Sequence, residues 1–128
     1  MSKRILVADD EPHVLRVLAH SLQREGYTVQ TVGNGADAYD LVMQAPPDVL
    51  ITDISMPKMT GQMLCERIQE VMPDRQFLIF ILTSRTEIEH REWSGALPNV
   101  QFLEKPVSTR KLLGQLREYF SMQDASVA

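Results

Sequence analysis

The sequence predicts a doubly wound α/β domain, in which five parallel strands form one sheet with helices on both faces. Short apolar runs bounded by breakers alternate five times with segments of helical periodicity. The connections are short, so each helix serves as the right-handed crossover that parallel strands need. The 128 residues are 44% hydrophobic, which suffices for one core. We therefore expect one domain over residues 1–122, followed by a flexible tail or the start of a linker over 123–128.

Apolar runs and breakers place the elements of the first half. Pro12 in a first turn and Gly26 after a last turn bound the first helix. The segment Gly33-Asn34-Gly35 predicts a tight turn after the second strand. The predicted elements are, in order, a strand over 3–8, a helix over 11–25, a strand over 27–32, a helix over 37–44 and a strand over 48–52.

The second half follows the same pattern. Residues 77–82 are apolar without interruption, which predicts a strand buried on both faces. Leu112, Leu116 and Phe120 recur at a spacing of four, which predicts an amphipathic last helix. The predicted elements are a helix over 61–72, a strand over 77–82, a weak short helix over 87–93, a strand over 100–103 and a helix over 109–120.

Composition excludes several classes of function. The net charge is −4 and Lys and Arg form no cluster, so direct nucleic-acid binding is not expected. No apolar run approaches the roughly 20 residues that span a membrane. Residues 1–4 lead straight into a charged strand end, unlike a signal peptide, so we expect a cytoplasmic protein. The single cysteine, Cys65, excludes an internal disulfide and fits a buried thiol.

Polar side chains follow four of the predicted strands. They are Asp9-Asp10, Asp53, Thr83-Ser84 and Lys105-Pro106, and the carboxyl ends of parallel strands share one edge of the sheet. Three carboxylates repel one another unless a hard cation such as Mg²⁺ lies among them. A lysine and a hydroxyl beside that metal suit an anion, so the set describes phosphoryl transfer. Asp53 can itself accept the phosphoryl group as an acyl phosphate.

Each residue taken alone has a simpler explanation. Asp9 and Asp10 could cap the first helix, Asp53 could be a turn residue, and Lys105 could be a solvated surface charge. Thr83 could cap the helix that follows its strand. Their convergence on one edge favours the functional interpretation.

The same residues resemble, in type, order and spacing, the signature of the receiver domains of bacterial two-component response regulators. The resemblance covers residues 3 to about 120. It implies the CheY-like, flavodoxin-like three-layer sandwich with strand order 2-1-3-4-5. The resembling residues are Asp9, Asp10, Asp53, Met56, Pro57, Gly61, Thr83, Lys105 and Pro106.

The resemblance implies a role for each polar residue. Asp53 would be the phosphorylation site. A sensor histidine kinase or a histidine phosphotransfer protein would supply the phosphoryl group. Asp10, Asp53 and the backbone carbonyl of Ser55 would bind Mg²⁺ directly, and Asp9 would bind it through water. Lys105 would pair with the phosphoryl group.

The resemblance also implies a switch. Thr83 would move toward the phosphoryl group, and Phe102 would then turn inward, although an aromatic residue there could simply pack. Ser55 and Arg85 would tune the lifetime of the phosphoryl group, and the peptide bond before Pro106 would be cis. The output surface would be the face formed by the fourth helix, the fifth strand and the last helix, to which a partner, an output domain absent from this chain or a second copy would bind.

Two other functions remain open at this stage. A Mg²⁺-dependent phosphatase of the haloacid-dehalogenase type would also use an aspartyl phosphate, but Ser55 stands where that chemistry usually places a second Asp. A degenerate receiver could bind partners without phosphorylation, although the signature is complete. We expect a regulatory domain that catalyses only its own phosphorylation and dephosphorylation, rather than an enzyme.

Overall fold

The computed structural model describes residues 2–84 and 99–127, which form a five-stranded parallel sheet flanked by helices. The strands are β1 (Arg4–Ala8), β2 (Thr28–Val32), β3 (Val49–Asp53), β4 (Leu78–Thr83) and β5 (Val100–Glu104). The helices are α1 (Pro12–Arg24), α2 (Gly35–Gln44), α3 (Gly61–Val71) and α4 (Thr109–Val127). The strand order is β2-β1-β3-β4-β5, and every neighbouring pair is parallel. The predicted fold class and strand order are confirmed.

Successive residues of each strand point to opposite faces of the sheet, and each face has its own core. Helices α1 and α4 pack on the face that carries Val7, Ile51 and Leu103. Helices α2 and α3 pack on the other face, against residues such as Leu50 and Ile81. A side chain at the end of a strand therefore belongs to one face or the other according to its position in this alternation.

The start of α2 differs from the prediction by two residues. The sequence predicted a tight turn at 33–35 and a helix from Asp37, but Asn34 is the N-cap and the helix begins at Gly35. The Asn34 Oδ1 atom accepts a hydrogen bond from the Asp37 backbone nitrogen at 2.8 Å. The cap thus satisfies a backbone donor of the first turn, which explains the earlier start.

Helix α4 runs to Val127, whereas the sequence predicted a helix ending near Phe120 and a flexible tail over 123–128. No Gly or Pro follows Gly114 in this segment, so nothing interrupts the helix. The Gln123 Nε2 atom also donates to the Tyr119 hydroxyl at 2.8 Å, and that hydroxyl donates to the Gln76 carbonyl at 3.1 Å. These two bonds connect the end of α4 to Gln76, two residues before β4.

The predicted helix over 87–93 and Arg85 lie outside the described residues. Within residues 2–84 and 99–127, no helix is long and apolar enough to cross a membrane. Cys65 is fully buried in α3, and burial raises the pKa of its thiol to about 12. It is therefore the unreactive buried thiol that the sequence predicted.

We expect Gly114→Ala to stabilise the protein by about 0.5–1 kcal/mol, because glycine is a poor helix former. A Cβ at Gly114 would meet no atom within 4 Å, so the substitution adds no clash. Urea denaturation followed by circular dichroism measures the effect. Gly26→Ala is the control of opposite sign, because Gly26 has a φ of 94°, which alanine adopts only with strain. A loss of stability in Gly114→Ala would contradict this account of α4.

Candidate functional site

Asp9, Asp53 and Lys105 meet at the carboxyl edge of the sheet. Each lies two residues beyond an apolar side chain on the face covered by α1 and α4, so the strand alternation directs all three to that face. The Lys105 Nζ atom lies 3.1 Å from Asp53 Oδ2 and 3.3 Å from Asp9 Oδ2. The structure thus brings together three of the residues that the sequence predicted.

Two further carboxylates belong to this cluster. Asp10 and Glu11 are exposed, and one oxygen from each lies within 4.8 Å of oxygens of Asp9 and Asp53. Glu11 Oε1 is also 3.4 Å from Lys105 Nζ. The sequence predicts Glu11 only as the first residue of a helix. The signal that could have identified it is the third successive carboxylate after β1.

The two innermost carboxylates are buried and held in place by backbone donors. Asp9 is fully buried and Asp53 is 5% exposed. Asp9 Oδ1 accepts from the Glu11 backbone nitrogen at 2.9 Å, and Asp53 Oδ1 accepts from that of Ile54 at 2.8 Å. Their orientations are therefore set by the backbone at the ends of β1 and β3.

The donor set fits a hard divalent cation. Within the described residues, Asp9 Oδ2 is a buried oxygen with no hydrogen bond of good geometry, although the Lys105 ammonium lies nearby. Four carboxylates cluster here and three of them contact Lys105, which leaves an excess of negative charge at the site. Mg²⁺ prefers such oxygen ligands and keeps several waters. Asp10, Asp53 and Asp9 are the residues that would hold it, with the Ser55 carbonyl as the predicted backbone ligand.

The charges of the site shift the pKa values of Asp53 and Lys105. Burial and the neighbouring Asp9 carboxylate raise the pKa of Asp53, and the Lys105 ammonium opposes this only in part. Burial lowers the pKa of Lys105, but the Asp53 and Asp9 carboxylates raise it more, so the net change is upward. The lysine thus stays charged, and ionising Asp53 costs more free energy here than in water, a cost that a bound divalent cation would offset.

The loop after β3, residues 54–60, is folded tightly against the end of that strand. The Gly61 nitrogen donates to the Ile54 carbonyl at 2.8 Å, which closes the loop. A Cβ on Gly61 would overlap the Asp53 carbonyl oxygen, so only glycine permits this approach. Ser55 is exposed in this loop, and Met56 is buried in the core beneath it.

Thr83 and Phe102 lie on the opposite face, which α2 and α3 cover. The Thr83 side chain is buried and its hydroxyl donates to the Ser84 carbonyl at 3.1 Å. The Thr83 carbonyl accepts from the Lys105 backbone nitrogen at 2.8 Å, which joins the ends of β4 and β5. Phe102 is half-buried and packs against the core of this face. The Lys105–Pro106 peptide bond is cis, as expected.

The chain belongs to the response regulator receiver domain family, whose model matches residues 5–117. It is 34% identical over 116 residues to the response regulator receiver protein CpdR of Brucella abortus, covering 91% of this chain and 95% of that protein. It is 32% identical over 117 residues to the response regulator MprA of Mycobacterium bovis, covering 91% of this chain but only 50% of MprA.

Solved structures agree with this assignment. The chemotaxis response regulator CheY4 of Vibrio cholerae superposes with a TM-score of 0.83 at 29% identity, covering 92% of this chain and 98% of CheY4. A CheY-like receiver domain protein from Methanospirillum hungatei gives a TM-score of 0.86 at 25% identity, covering 98% and 99% of the two chains. The chain is therefore a receiver domain of the two-component response regulator type.

Proposed function

We propose that Asp53 accepts a phosphoryl group in a Mg²⁺-dependent reaction and that this charge switches the domain between two states. The observation that carries the proposal is the buried Asp53 carboxylate 3.1 Å from the Lys105 ammonium. Further carboxylates within 4.8 Å supply the ligands for a metal. A metal, an ammonium and a fixed carboxylate are the parts that phosphoryl transfer to an aspartate needs.

In the proposed reaction, an oxygen of Asp53 attacks the phosphorus atom of a phosphohistidine on the donor protein. A P–O bond forms and the N–P bond breaks, and the histidine nitrogen keeps the electron pair. Lys105 neutralises charge on the oxygens of the transferred group, while Asp9 and Glu11 hold the lysine in place. Bound Mg²⁺ supplies further neutralisation of this charge. Water later attacks the phosphorus of the acyl phosphate, the bond to the Asp53 oxygen breaks, and inorganic phosphate leaves as the Asp53 carboxylate is restored.

The two faces of the sheet beside the site suit two different partners, a protein that donates the phosphoryl group and a partner that receives the signal. A groove of about 410 Å³ lies beside Lys105, lined by Val14, Val17 and Val107 among others, and would admit the donor. On the other face, Thr83 would move toward the phosphoryl group and Phe102 would follow. We infer that this change alters the surface around β5, where an effector, an output domain or a second copy binds.

The proposal places the domain between two protein partners in the cytoplasm. The upstream partner is a sensor histidine kinase or a histidine phosphotransfer protein, and the downstream partner is an effector or output domain. The domain itself does not contact nucleic acid, because its net charge is −4. Its catalysis is limited to its own phosphorylation and dephosphorylation.

We expect acetyl phosphate to add one phosphoryl group, about 80 Da, to the protein only when Mg²⁺ is present. Intact-protein mass spectrometry after incubation in Mg²⁺ or in EDTA measures this directly. The adduct should disappear over time, because an acyl phosphate hydrolyses. A stable adduct, or equal labelling in EDTA, would contradict the proposed chemistry.

Absence of an adduct has two explanations that a second measurement separates. Beryllofluoride mimics the phosphoryl group and is not hydrolysed, so it should bind with Mg²⁺ even where the phosphoryl group is lost quickly. Changes in the amide NMR signals of the site would show such binding. Failure to bind both acetyl phosphate and beryllofluoride would refute the proposed function and favour a receiver that works without phosphorylation.

A further inference from the structure

The loop over residues 54–60 contacts a second glycine, Gly35, which lies far from Asp53 in sequence. A Cβ built on Gly35 would overlap the carbonyl oxygen of Met59 and would lie 2.7 Å from the carbonyl carbon. The backbone of the loop therefore rests directly on the first residue of α2. Gly61, directly after the loop, allows a second close backbone approach, to the Asp53 carbonyl that precedes the loop.

Both partners in the Gly35 contact are held firmly. Asn34 caps α2 by accepting from Asp37 and donating to its carboxylate at 2.9 Å, which fixes the position of Gly35. Gly35 itself is buried. On the loop side, Met59 packs against the core of the α2 and α3 face, and Met56 is buried within it. Neither the start of α2 nor the loop can move away from the other without breaking these contacts.

The lack of a side chain at Gly35 has no explanation in its own backbone conformation. Among the described glycines, Gly26 has a left-handed φ, whereas Gly35 does not. Gly33, two residues earlier in the same turn, would carry a Cβ with nothing within 4 Å. The constraint at Gly35 is therefore Met59 of the loop, chiefly its backbone carbonyl, and Gly33 provides a natural control.

We propose that Gly35 is a positioning residue. It sets the position of the loop over residues 54–60 relative to the carboxylates of the site, and thereby the Mg²⁺ affinity of the site. The inference rests on the proposed function, in which the Ser55 carbonyl from this loop is a metal ligand. A Cβ at Gly35 would displace the Met59 backbone, because Cβ atoms do not approach other atoms within 3.0 Å. Mg²⁺ demands near-ideal octahedral geometry, so a loop displaced by about 1 Å binds it poorly.

The test compares Gly35→Ala with Gly33→Ala by NMR titration with MgCl₂, well below the melting temperature of either variant. We expect Gly35→Ala to weaken Mg²⁺ binding by about tenfold or more, as for lost groups that orient metal ligands. Gly33→Ala should stay within about twofold of the unsubstituted protein, because its Cβ meets nothing. Labelling of Gly35→Ala by acetyl phosphate should be restored by a correspondingly higher Mg²⁺ concentration. Because Mg²⁺ also stabilises the folded state, circular dichroism in EDTA must first show that Gly35→Ala is folded without the metal.

Equal Mg²⁺ affinities in Gly35→Ala and Gly33→Ala, with the unsubstituted protein binding Mg²⁺, would overturn this inference and leave the proposed function intact. Absence of Mg²⁺ binding by the unsubstituted protein would instead refute the proposed function. If Gly35→Ala does not fold, Met59→Gly tests the second step of the inference, that the position of the loop sets the Mg²⁺ affinity, since it removes the side chain that anchors the loop. That variant should also bind Mg²⁺ more weakly, and unchanged affinity would overturn the inference.

Discussion

Lys105→Met is expected to lower the free energy of unfolding of the metal-free protein by about 2 kcal/mol, because it leaves buried carboxylates without their cation. In the structure, Lys105 lies within 3.3 Å of both Asp9 and Asp53, and both of these carboxylates are buried. Methionine keeps most of the side-chain volume but removes the charge. Urea denaturation in EDTA measures the change.

The control for Lys105→Met is Lys111→Met, which removes an equal charge from an exposed position in the first turn of α4. We expect that variant to remain within about 0.5 kcal/mol of the unsubstituted protein. Millimolar Mg²⁺ should return part of the stability that Lys105→Met loses, because the ion replaces the missing positive charge. Equal stability of the two variants in EDTA would show that Lys105 does not neutralise the buried carboxylates.

Asp53→Asn is expected to raise the free energy of unfolding of the metal-free protein at neutral pH, on the order of 1 kcal/mol. Burial and Asp9 raise the pKa of Asp53 above 3.8 despite Lys105, so its ionised form is unfavourable in the folded state. Asparagine has nearly the same shape and no charge. Thermal unfolding in EDTA should show the variant melting a few degrees higher.

The raised pKa of Asp53 also predicts how the stability difference between Asp53→Asn and the unsubstituted protein changes with pH. Because the folded protein holds the Asp53 proton more tightly than the unfolded chain, its contribution to stability is complete below about pH 3.8 and is lost as pH rises through the folded pKa. The advantage of Asp53→Asn should therefore grow with pH above that value and then level off. Asp40→Asn, at an exposed site on α2, serves as the control and should show little change. A lower stability of Asp53→Asn at neutral pH would contradict the charge balance described for the site.

Much of the fold could be predicted because its signals are local. The buried strands β3 and β4 follow from uninterrupted apolar runs, and their bounds lie within one residue of the prediction. The start of α2 was misplaced because the side chain of Asn34 caps it, and the apolar pattern carries no sign of a cap. The end of α4 was misplaced because Gln123 donates to the Tyr119 hydroxyl, which in turn donates to Gln76, a residue distant in sequence.

The candidate site could be predicted for a geometric reason. Parallel strands bring their carboxyl ends to one edge, so Asp9, Asp53 and Lys105 were expected together before any distance was known. Glu11 also follows β1, but only its contact with Lys105 distinguishes it from a helix residue, and Gly35 gives no strand-end signal at all. Their importance comes from contacts between segments that are distant in sequence, namely the approach of Glu11 to Lys105 and that of Gly35 to Met59.

The most direct test of the central claim identifies the residue that carries the phosphoryl group. Borohydride reduces an aspartyl phosphate to homoserine, so protein labelled with acetyl phosphate and Mg²⁺ can be reduced, digested and mapped by tandem mass spectrometry. We expect homoserine at position 53 and none in Asp53→Asn or in protein labelled in EDTA. Homoserine at position 9 or 10 instead, or labelling that persists in Asp53→Asn, would contradict the assignment of Asp53 as the phosphoryl acceptor.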